Sequence, residues 1–110
     1  MGVSEQLRVE TRREDGRVVI ALAGELDMAS AALLRTAIEE VGSAEKSMLV
    51  LDLQQLGFID STGLRTVLWA HERCEQEGRE FALTPGSQQV QRLLAISGAG
   101  EHLRTIAATG

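Results

Sequence analysis

Charged and uncharged residues alternate at the start of the chain. This period of two over residues 7–12 predicts a half-exposed β-strand. Asp15-Gly16 follows and is a strong hairpin signal, because a tight two-residue turn requires positive φ. Residues 17–24 are almost continuously apolar, which predicts a second strand closer to the centre of the sheet.

The period then changes to that of a helix. Gly24-Glu25-Leu26-Asp27 interrupts the apolar run and is predicted to be a turn. Asp27 or Ser30 can cap the next helix by accepting hydrogen bonds from its free amides. The spacing of apolar residues predicts that this helix spans residues 29–41, and Gly42 is a typical terminator.

A second strand and helix follow in the same order. Residues 48–53 predict a third strand, and residues 54–59 are expected to connect it to a turn at Asp60. Residues 64–77 predict a helix that ends at Gly78. One face of this helix carries four residues at helical spacing: Leu64, Val67, Leu68 and His71.

The end of the chain adds one more short strand and two helices. Residues 81–83 predict the strand, residues 84–87 a loop and cap, and Val90, Leu93 and Leu94 a helix that ends near Ser97-Gly98. His102, Leu103 and Ile106 predict a short last helix.

The order β-β-α-β-α-β-α-α predicts an α/β fold. A small four-stranded mixed sheet would begin with an antiparallel hairpin and continue through parallel, right-handed crossovers, with helices packed against it. No internal repeat or linker divides the sequence, so residues 1–110 are expected to form a single domain.

Composition and charge restrict the environment and the partners. The three aromatic residues are Phe58, Trp69 and Phe81, so the core must be aliphatic. A net charge of -5 without a basic stripe argues against a nucleic-acid partner. A single cysteine, Cys74, excludes an intrachain disulfide. Without a signal peptide or a long apolar run, we expect a cytoplasmic protein that does not associate with membranes. The oligomeric state is left open.

Several kinds of enzyme site can be tested against the sequence. The two histidines are His71 and His102, and His71 lies ten residues after Ser61, about 15 Å along the same predicted helix. That separation is too long for a catalytic hydrogen bond. The G-x-S-x-G pattern, a Walker-type phosphate loop and metal-ligand spacings are absent. We therefore expect no catalytic residue, no metal site and no bound cofactor. His71 is expected at the core or its rim, and Cys74 as a small buried residue.

Asp60-Ser61-Thr62-Gly63 is the segment with the most distinctive chemistry. It could simply be a helix cap, since Asp, Ser and Thr favour that position. It also follows the carboxyl end of a predicted parallel strand, where open α/β sheets usually place ligand sites. The Gly24–Asp27 turn would leave its strand at the same edge, so both acidic turns are expected to form one surface.

A phosphate on Ser61 would change that surface without unfolding it. It would add about 1.5 to 2 negative charges beside Asp60 and close to Asp27. A helix N-terminus tolerates such an anion. A partner shaped for the neutral hydroxyl would lose affinity, and a loss of about 100-fold needs only about 2.8 kcal/mol.

Four parts of the sequence resemble the STAS domain of bacterial anti-sigma factor antagonists, over about residues 7–106. The segments that carry this resemblance are Gly24-Glu25-Leu26-Asp27, Leu49-Val50-Leu51-Asp52-Leu53, Phe58-Ile59-Asp60-Ser61-Thr62-Gly63-Leu64 and, more weakly, Val90-Gln91-Arg92-Leu93-Leu94 with Ser97-Gly98.

The resemblance implies a phosphoserine switch. In that family the partner is an anti-sigma factor that is also a serine kinase, which binds the unphosphorylated antagonist and phosphorylates the serine after the aspartate, here Ser61. Phosphorylation ends the binding, and a phosphatase restores it. ATP and Mg²⁺ would belong to the kinase. The expected partner-binding residues are Gly24, Glu25, Asp27, Asp60, Thr62, Gly63 and Leu64.

Two questions stay open at this stage. Trp69 lies about 140° around its helix from Leu64, beside Arg65 and Arg73. It could bind the partner, or it could cover the arginine stems or a neighbouring helix. The alternative function is a STAS docking subunit of a signalling complex or transporter that is never phosphorylated.

Overall fold

A computed structural model describes residues 6–42 and 45–107, so parts of the domain predicted for residues 1–110 lie outside the described residues. The strands are β1 (Arg8–Glu14), β2 (Arg17–Leu26), β3 (Met48–Ile59) and β4 (Phe81–Leu83). The helices are α1 (Ala31–Val41), α2 (Ser61–Gln76) and α3 (Gln88–Ser97), followed by a 3₁₀ turn, Ala99–Glu101. The predicted fold class is confirmed.

The sheet is mixed, in the order β1-β2-β3-β4. β1 pairs with β2 antiparallel, and β2–β3 and β3–β4 are parallel. Asp15 and Gly16 have φ angles of 49° and 75° and close the hairpin in two residues, as their sequence predicts. The sheet therefore has an antiparallel strand at one edge and a parallel strand at the other.

One aliphatic core lies between the sheet and the helices. The apolar faces of α1 and α2 pack on alternate residues of β2, β3 and β4, and α3 contributes Val90. These strand residues are Val18, Ile20, Leu22, Leu49, Leu51, Leu53, Phe81 and Leu83. Phe81 is the only aromatic residue among the buried hydrophobic residues of the described chain, as the composition leads one to expect.

β2 and β3 are longer than predicted, and this changes two assignments. Residues 54–59 are not a connection but the second half of β3. Gly24, Glu25 and Leu26 are not a turn but the last residues of β2. The added residues of β2 and of β3 pair with each other, with Gly24 beside Leu56 and Leu26 beside Ile59. The turn into α1 is therefore at residues 27–30.

The last predicted helix, at His102, Leu103 and Ile106, is wrong. After the 3₁₀ turn the chain runs beside β4 and forms an isolated parallel bridge between Leu83 and Thr105. The Leu83 amide donates to the Arg104 carbonyl at 2.9 Å, and the Ile106 amide donates to the Leu83 carbonyl at 2.8 Å. The backbone N–H and C=O groups on the outer edge of β4 need hydrogen-bonding partners, and an extended segment provides them where a helix could not.

Among the described helices, none combines the length and apolarity that a membrane crossing requires.

Candidate functional site

Asp60 joins β3 to α2 and caps the helix. Its extended backbone (φ -108°, ψ -175°) ends the strand, and its Oδ1 accepts a hydrogen bond from the Gly63 amide at 2.8 Å. Its carbonyl accepts the first helical bond, from the Leu64 amide at 2.9 Å. The capping role predicted for Asp60 is confirmed, and such a cap is typically worth about 1 kcal/mol.

The same carboxylate also reaches the turn before α1. Its Oδ2 accepts from the Met28 amide at 3.3 Å, and the Asp60 amide donates to the Leu26 carbonyl at 3.2 Å. The starts of the two helices are thereby held side by side. The prediction that the acidic segments around Asp27 and Asp60 form one surface is confirmed.

Asp27 and Ser30 organise the turn into α1 between them. Asp27 Oδ1 accepts from the amides of Ala29 at 3.0 Å and Ser30 at 3.1 Å. Ser30 occupies the position before the helix, but its hydroxyl donates back to the Glu25 carbonyl at 2.8 Å instead of capping. The prediction that Asp27 or Ser30 caps α1 is therefore wrong, since neither side chain accepts from an amide of the helix. Asp27 satisfies amides of the turn before α1, and Ser30 ties that turn to β2.

Ser61 is the first residue of α2 and is exposed. Within residues 6–42 and 45–107 its hydroxyl makes no hydrogen bond, while Asp60 fixes the backbone on either side of it. Thr62, the second hydroxyl of the motif, is half-buried. The turn therefore presents Ser61 to solvent from a rigid position.

The remaining expected partner-binding residues differ in exposure. Asp27, Asp60, Gly24 and Glu25 are half-buried at the surface. Gly63 and Leu64 are buried and support that surface from beneath. A methyl group on Gly63 would overlap the Leu26 carbonyl oxygen and come within 2.9 Å of side-chain atoms of Leu26 and Ile59. Gly63 therefore allows α2 to start against the end of β2.

Two exposed apolar side chains flank this turn, and sequence reasoning did not include them among the binding residues. Met28 is 77% exposed and Phe58 is 39% exposed. Met28 follows Asp27, and Phe58 pairs with Glu25 across the strands. The available sequence signal was a large apolar residue, Met28, next to Asp27 in the segment before α1. We call Asp27, Met28, Phe58, Asp60 and Ser61 the switch surface.

Trp69 lies away from the switch surface, between two arginines. The guanidinium carbon of Arg35 in α1 is 4.8 Å from the centre of a Trp69 ring, and that of Arg73 in α2 is 5.5 Å away. The side chain is half-buried and packs against the core cluster. These contacts favour the packing interpretation of Trp69, in which it covers an arginine stem and a neighbouring helix, over partner binding.

His71 and Cys74 occupy the places predicted for them. His71 is half-buried at the rim, with its ring 5.6 Å from that of Phe81 and its Nδ1 3.9 Å from a carboxylate oxygen of Glu75. Cys74 is 1% exposed, and its burial raises the pKa of the thiol to about 11. In the described part of the chain, no three His, Cys, Asp or Glu side chains are grouped so that they could hold a metal ion.

Comparison with known proteins gives consistent likenesses. A protein-family model described as "Mlab, STAS domain" matches residues 9–105. The anti-sigma F factor antagonist of Paenibacillus polymyxa is 32% identical over 93 residues, which cover 84% of this chain and 80% of that protein.

Solved structures give the same result for the fold. An anti-sigma factor antagonist from Mycobacterium paratuberculosis superposes with a TM-score of 0.85 at 24% identity, covering 98% of this chain and 92% of that one. The anti-sigma factor antagonist SpoIIAA in its unphosphorylated form superposes with a TM-score of 0.78 at 25% identity, covering 93% and 89%.

Proposed function

Since the chain belongs to the STAS domain family, we propose that it is an anti-sigma factor antagonist controlled by phosphorylation of Ser61. The observation that carries the proposal is the exposed Ser61 hydroxyl at the start of α2, on a turn that Asp60 holds in place. The name of the Paenibacillus relative and the description of SpoIIAA by its phosphorylation state support it.

The unphosphorylated switch surface is suited to binding another protein. Met28 and Phe58 offer exposed apolar area beside the carboxylates of Asp27 and Asp60. Apolar side chains at the centre of an interface, with polar groups around them, are typical of energetically important contacts. The anti-sigma factor would cover Ser61 together with these side chains.

Phosphorylation would remove that fit. The phosphate adds about 1.5 to 2 negative charges next to Asp60, in a place where the bound partner would have to desolvate them. The helix N-terminus can hold the anion, so the fold is retained while the affinity falls. The switch is therefore electrostatic and local, without any refolding of the domain.

The phosphoryl chemistry would be carried out by the partners. The Ser61 oxygen attacks the γ-phosphorus of ATP, the bond to ADP breaks, and the hydroxyl proton passes to a base of the kinase. A phosphatase later transfers the phosphoryl group to water. This chain supplies the acceptor hydroxyl and no catalytic residue, and ATP and Mg²⁺ bind to the anti-sigma factor kinase. Under this proposal the protein acts in the cytoplasm, where sigma factors act.

Mass spectrometry tests the modification directly. Incubation of the protein with Mg-ATP and a cognate serine-kinase anti-sigma factor should add one phosphate to Ser61. The Ser61→Ala variant should stay unmodified, and Thr62→Ala should be modified normally. If Ser61 stays unmodified with every cognate kinase while the anti-sigma factor still binds, the unphosphorylated docking subunit becomes the better assignment.

A charge at Ser61 should separate binding from stability. We expect Ser61→Asp to weaken binding of the anti-sigma factor by about 100-fold, because the new carboxylate faces the partner beside Asp60. The matched control is Gln88→Asp, which adds the same charge at the first residue of α3, another exposed helix start.

Calorimetric titration measures the affinity of both variants for the anti-sigma factor, and thermal unfolding measures their stability. Both should keep a melting temperature close to that of the wild type, because each charge lies at a helix N-terminus. Equal affinities of Ser61→Asp and Gln88→Asp for the anti-sigma factor would contradict the proposal.

A further inference from the structure

β1 leaves one edge of the sheet open. Six of its seven residues are exposed, and its sequence neighbour β2 is its pairing strand within the described residues. An unpaired edge of this length can add another strand through its backbone.

The hairpin turn determines which backbone groups point to that edge. Asp15-Gly16 is a two-residue turn, so Glu14 and Arg17 form a hydrogen-bonded pair. The pairing of β1 with β2 has no bulge. Residues whose backbone groups bond to β2 therefore alternate, along the whole strand, with residues whose backbone groups point away from it. The N–H and C=O groups of Val9, Thr11 and Arg13 therefore point outward.

The side chains on the outer face of β1 alternate in sign. Arg8, Glu10, Arg12 and Glu14 point away from the helices, since their neighbours Val9 and Leu7 belong to the core side. An ion pair of 3.3 Å already joins Arg12 to Glu14 along the strand. From Arg8 to Glu14 the charges run plus, minus, plus, minus. In a second copy of β1 that runs antiparallel, each positive side chain therefore lies opposite a negative one.

We propose that β1 pairs antiparallel with β1 of a second copy of this chain, about a two-fold axis at Thr11. Arg8 then lies opposite Glu14 of the second copy, and Glu10 lies opposite its Arg12. The outward groups of Val9, Thr11 and Arg13 meet their counterparts in the same register, so backbone and charge patterns agree. Centring the axis on Glu10 or Arg12 would oppose like charges and inward-pointing backbone groups.

The core side of the same edge also has an unfilled surface. A groove of about 380 Å³ lies between β1 and α1, and Leu33, one of its lining residues, is 52% exposed. The groove is lined by Leu7, Val9, Thr11, Leu33, Thr36, Ala37 and Glu40. A two-fold axis normal to the sheet brings α1 of both copies to the same face, where each copy covers the groove and Leu33 of the other.

The charged side chains of β1 also explain why the strand that pairs with it belongs to a second copy of this chain. Charged side chains on an edge strand usually prevent pairing with other strands. A strand of the opposite pattern escapes this repulsion, and β1 itself has that pattern in reverse. Ser61 follows the end of β3 along the chain, and β2 separates β3 from β1. The pairing of β1 is therefore independent of the proposed phosphorylation.

Charge exchange at two exposed positions tests the proposal. Sedimentation velocity over a concentration series at low ionic strength should give a wild-type dimer of twice the 11.9 kDa chain mass. Glu10→Arg and Arg12→Glu should each weaken self-association by at least about tenfold, because each opposes like charges at two symmetric places.

Mixing the variants should restore the pairing. Every opposed pair in a heterodimer of Glu10→Arg with Arg12→Glu is attractive, and so is every pair in a dimer of the double variant. We expect the equimolar mixture and the double variant to dimerise as strongly as the wild type. Arg92→Glu, an exposed change of the same charge on α3, should have no effect.

Amide hydrogen exchange gives a second readout. The amides of Val9, Thr11 and Arg13 should be protected in the wild type and exchange rapidly in either single variant. A wild-type monomer at all concentrations, or single variants that dimerise as well as the wild type, would overturn the proposal. So would a dimer in which these three amides exchange freely.

Discussion

At the scale of single residues, Gly63 has a tightly restricted position beneath the switch surface. The glycine is buried below Ser61, and its amide is the donor to the capping carboxylate of Asp60. Its missing side chain lets α2 begin against the Leu26 carbonyl. The interpretation that this glycine allows close packing could be made from sequence, but the strand that it approaches could not.

Replacing Gly63 with alanine should destabilise the domain. The added methyl would overlap the Leu26 carbonyl and side-chain atoms 2.9 Å away, which should cost about 2 to 3 kcal/mol. The control is Gly57→Ala, whose methyl would find its nearest neighbour at 3.8 Å and should change stability by less than about 0.5 kcal/mol. Urea unfolding of both variants measures the difference. Equal stabilities would mean that α2 and β2 can separate at no cost.

The buried thiol of Cys74 should make stability depend on alkaline pH. Burial raises the pKa of Cys74 from 9.0 to about 11, so the folded chain keeps the proton over a range in which the unfolded chain loses it. The thiol therefore contributes its full stability below pH 9 and loses about 2 to 3 kcal/mol as the pH rises through about 11.

Cys74→Ala isolates this contribution from other titrations. The free energy of unfolding, measured by urea denaturation between about pH 8 and 11, should fall more steeply for the wild type than for the variant. Parallel curves would show that the thiol ionises as readily in the folded chain as in the unfolded one.

At the scale of elements, α1 and α2 contact each other at Trp69. Its contacts with Arg35 and Arg73 place it where α1 and α2 meet. Its position outside the apolar stripe of α2 could be read from the sequence. The choice between a partner and a neighbouring helix needed the structure, because helical periodicity does not say which helix lies beside which.

Substitution of Trp69 should affect stability rather than partner binding. We expect Trp69→Ala to cost about 2 kcal/mol, because the ring loses both its packing against the core and two cation–π contacts. Trp69→Phe should lose less, and Arg65→Ala, at an exposed site on the same helix, should be nearly neutral. Thermal unfolding and anti-sigma factor titration decide the matter. Normal stability with weaker binding would instead make Trp69 a partner-binding residue.

The long β3 illustrates where sequence patterns fail for an element. From Leu53 onward its buried residues are Leu53, Leu56 and Ile59, which are three residues apart. Two register shifts against β2 insert one extra residue of β3 each, so the period of two is lost. α2 was easier to predict, because Asp60 and Gly78 mark its ends and its apolar residues keep the helical period.

At the scale of the whole molecule, most of the topology could be predicted, because strands and helices alternate along a short chain after the first hairpin. The hairpin, the two parallel crossovers and the neighbouring acidic turns all follow from that order. The segment after α3 could not be predicted, since its extended shape depends on the free edge of β4 rather than on its own residues. The sequence did not single out Met28 for a similar reason, because its exposure is a property of the assembled surface.

The two oxygens of Asp60 have a consequence for how related proteins could come to distinguish their partners. One oxygen caps α2 and the other holds the turn before α1, so any substitution of Asp60 disturbs both helix starts together. Met28 and Phe58 present exposed side chains that the fold does not need in its core. We therefore expect duplicated copies in one genome to share the aspartate and to diverge at these two apolar positions, which would keep parallel signalling pathways insulated from one another.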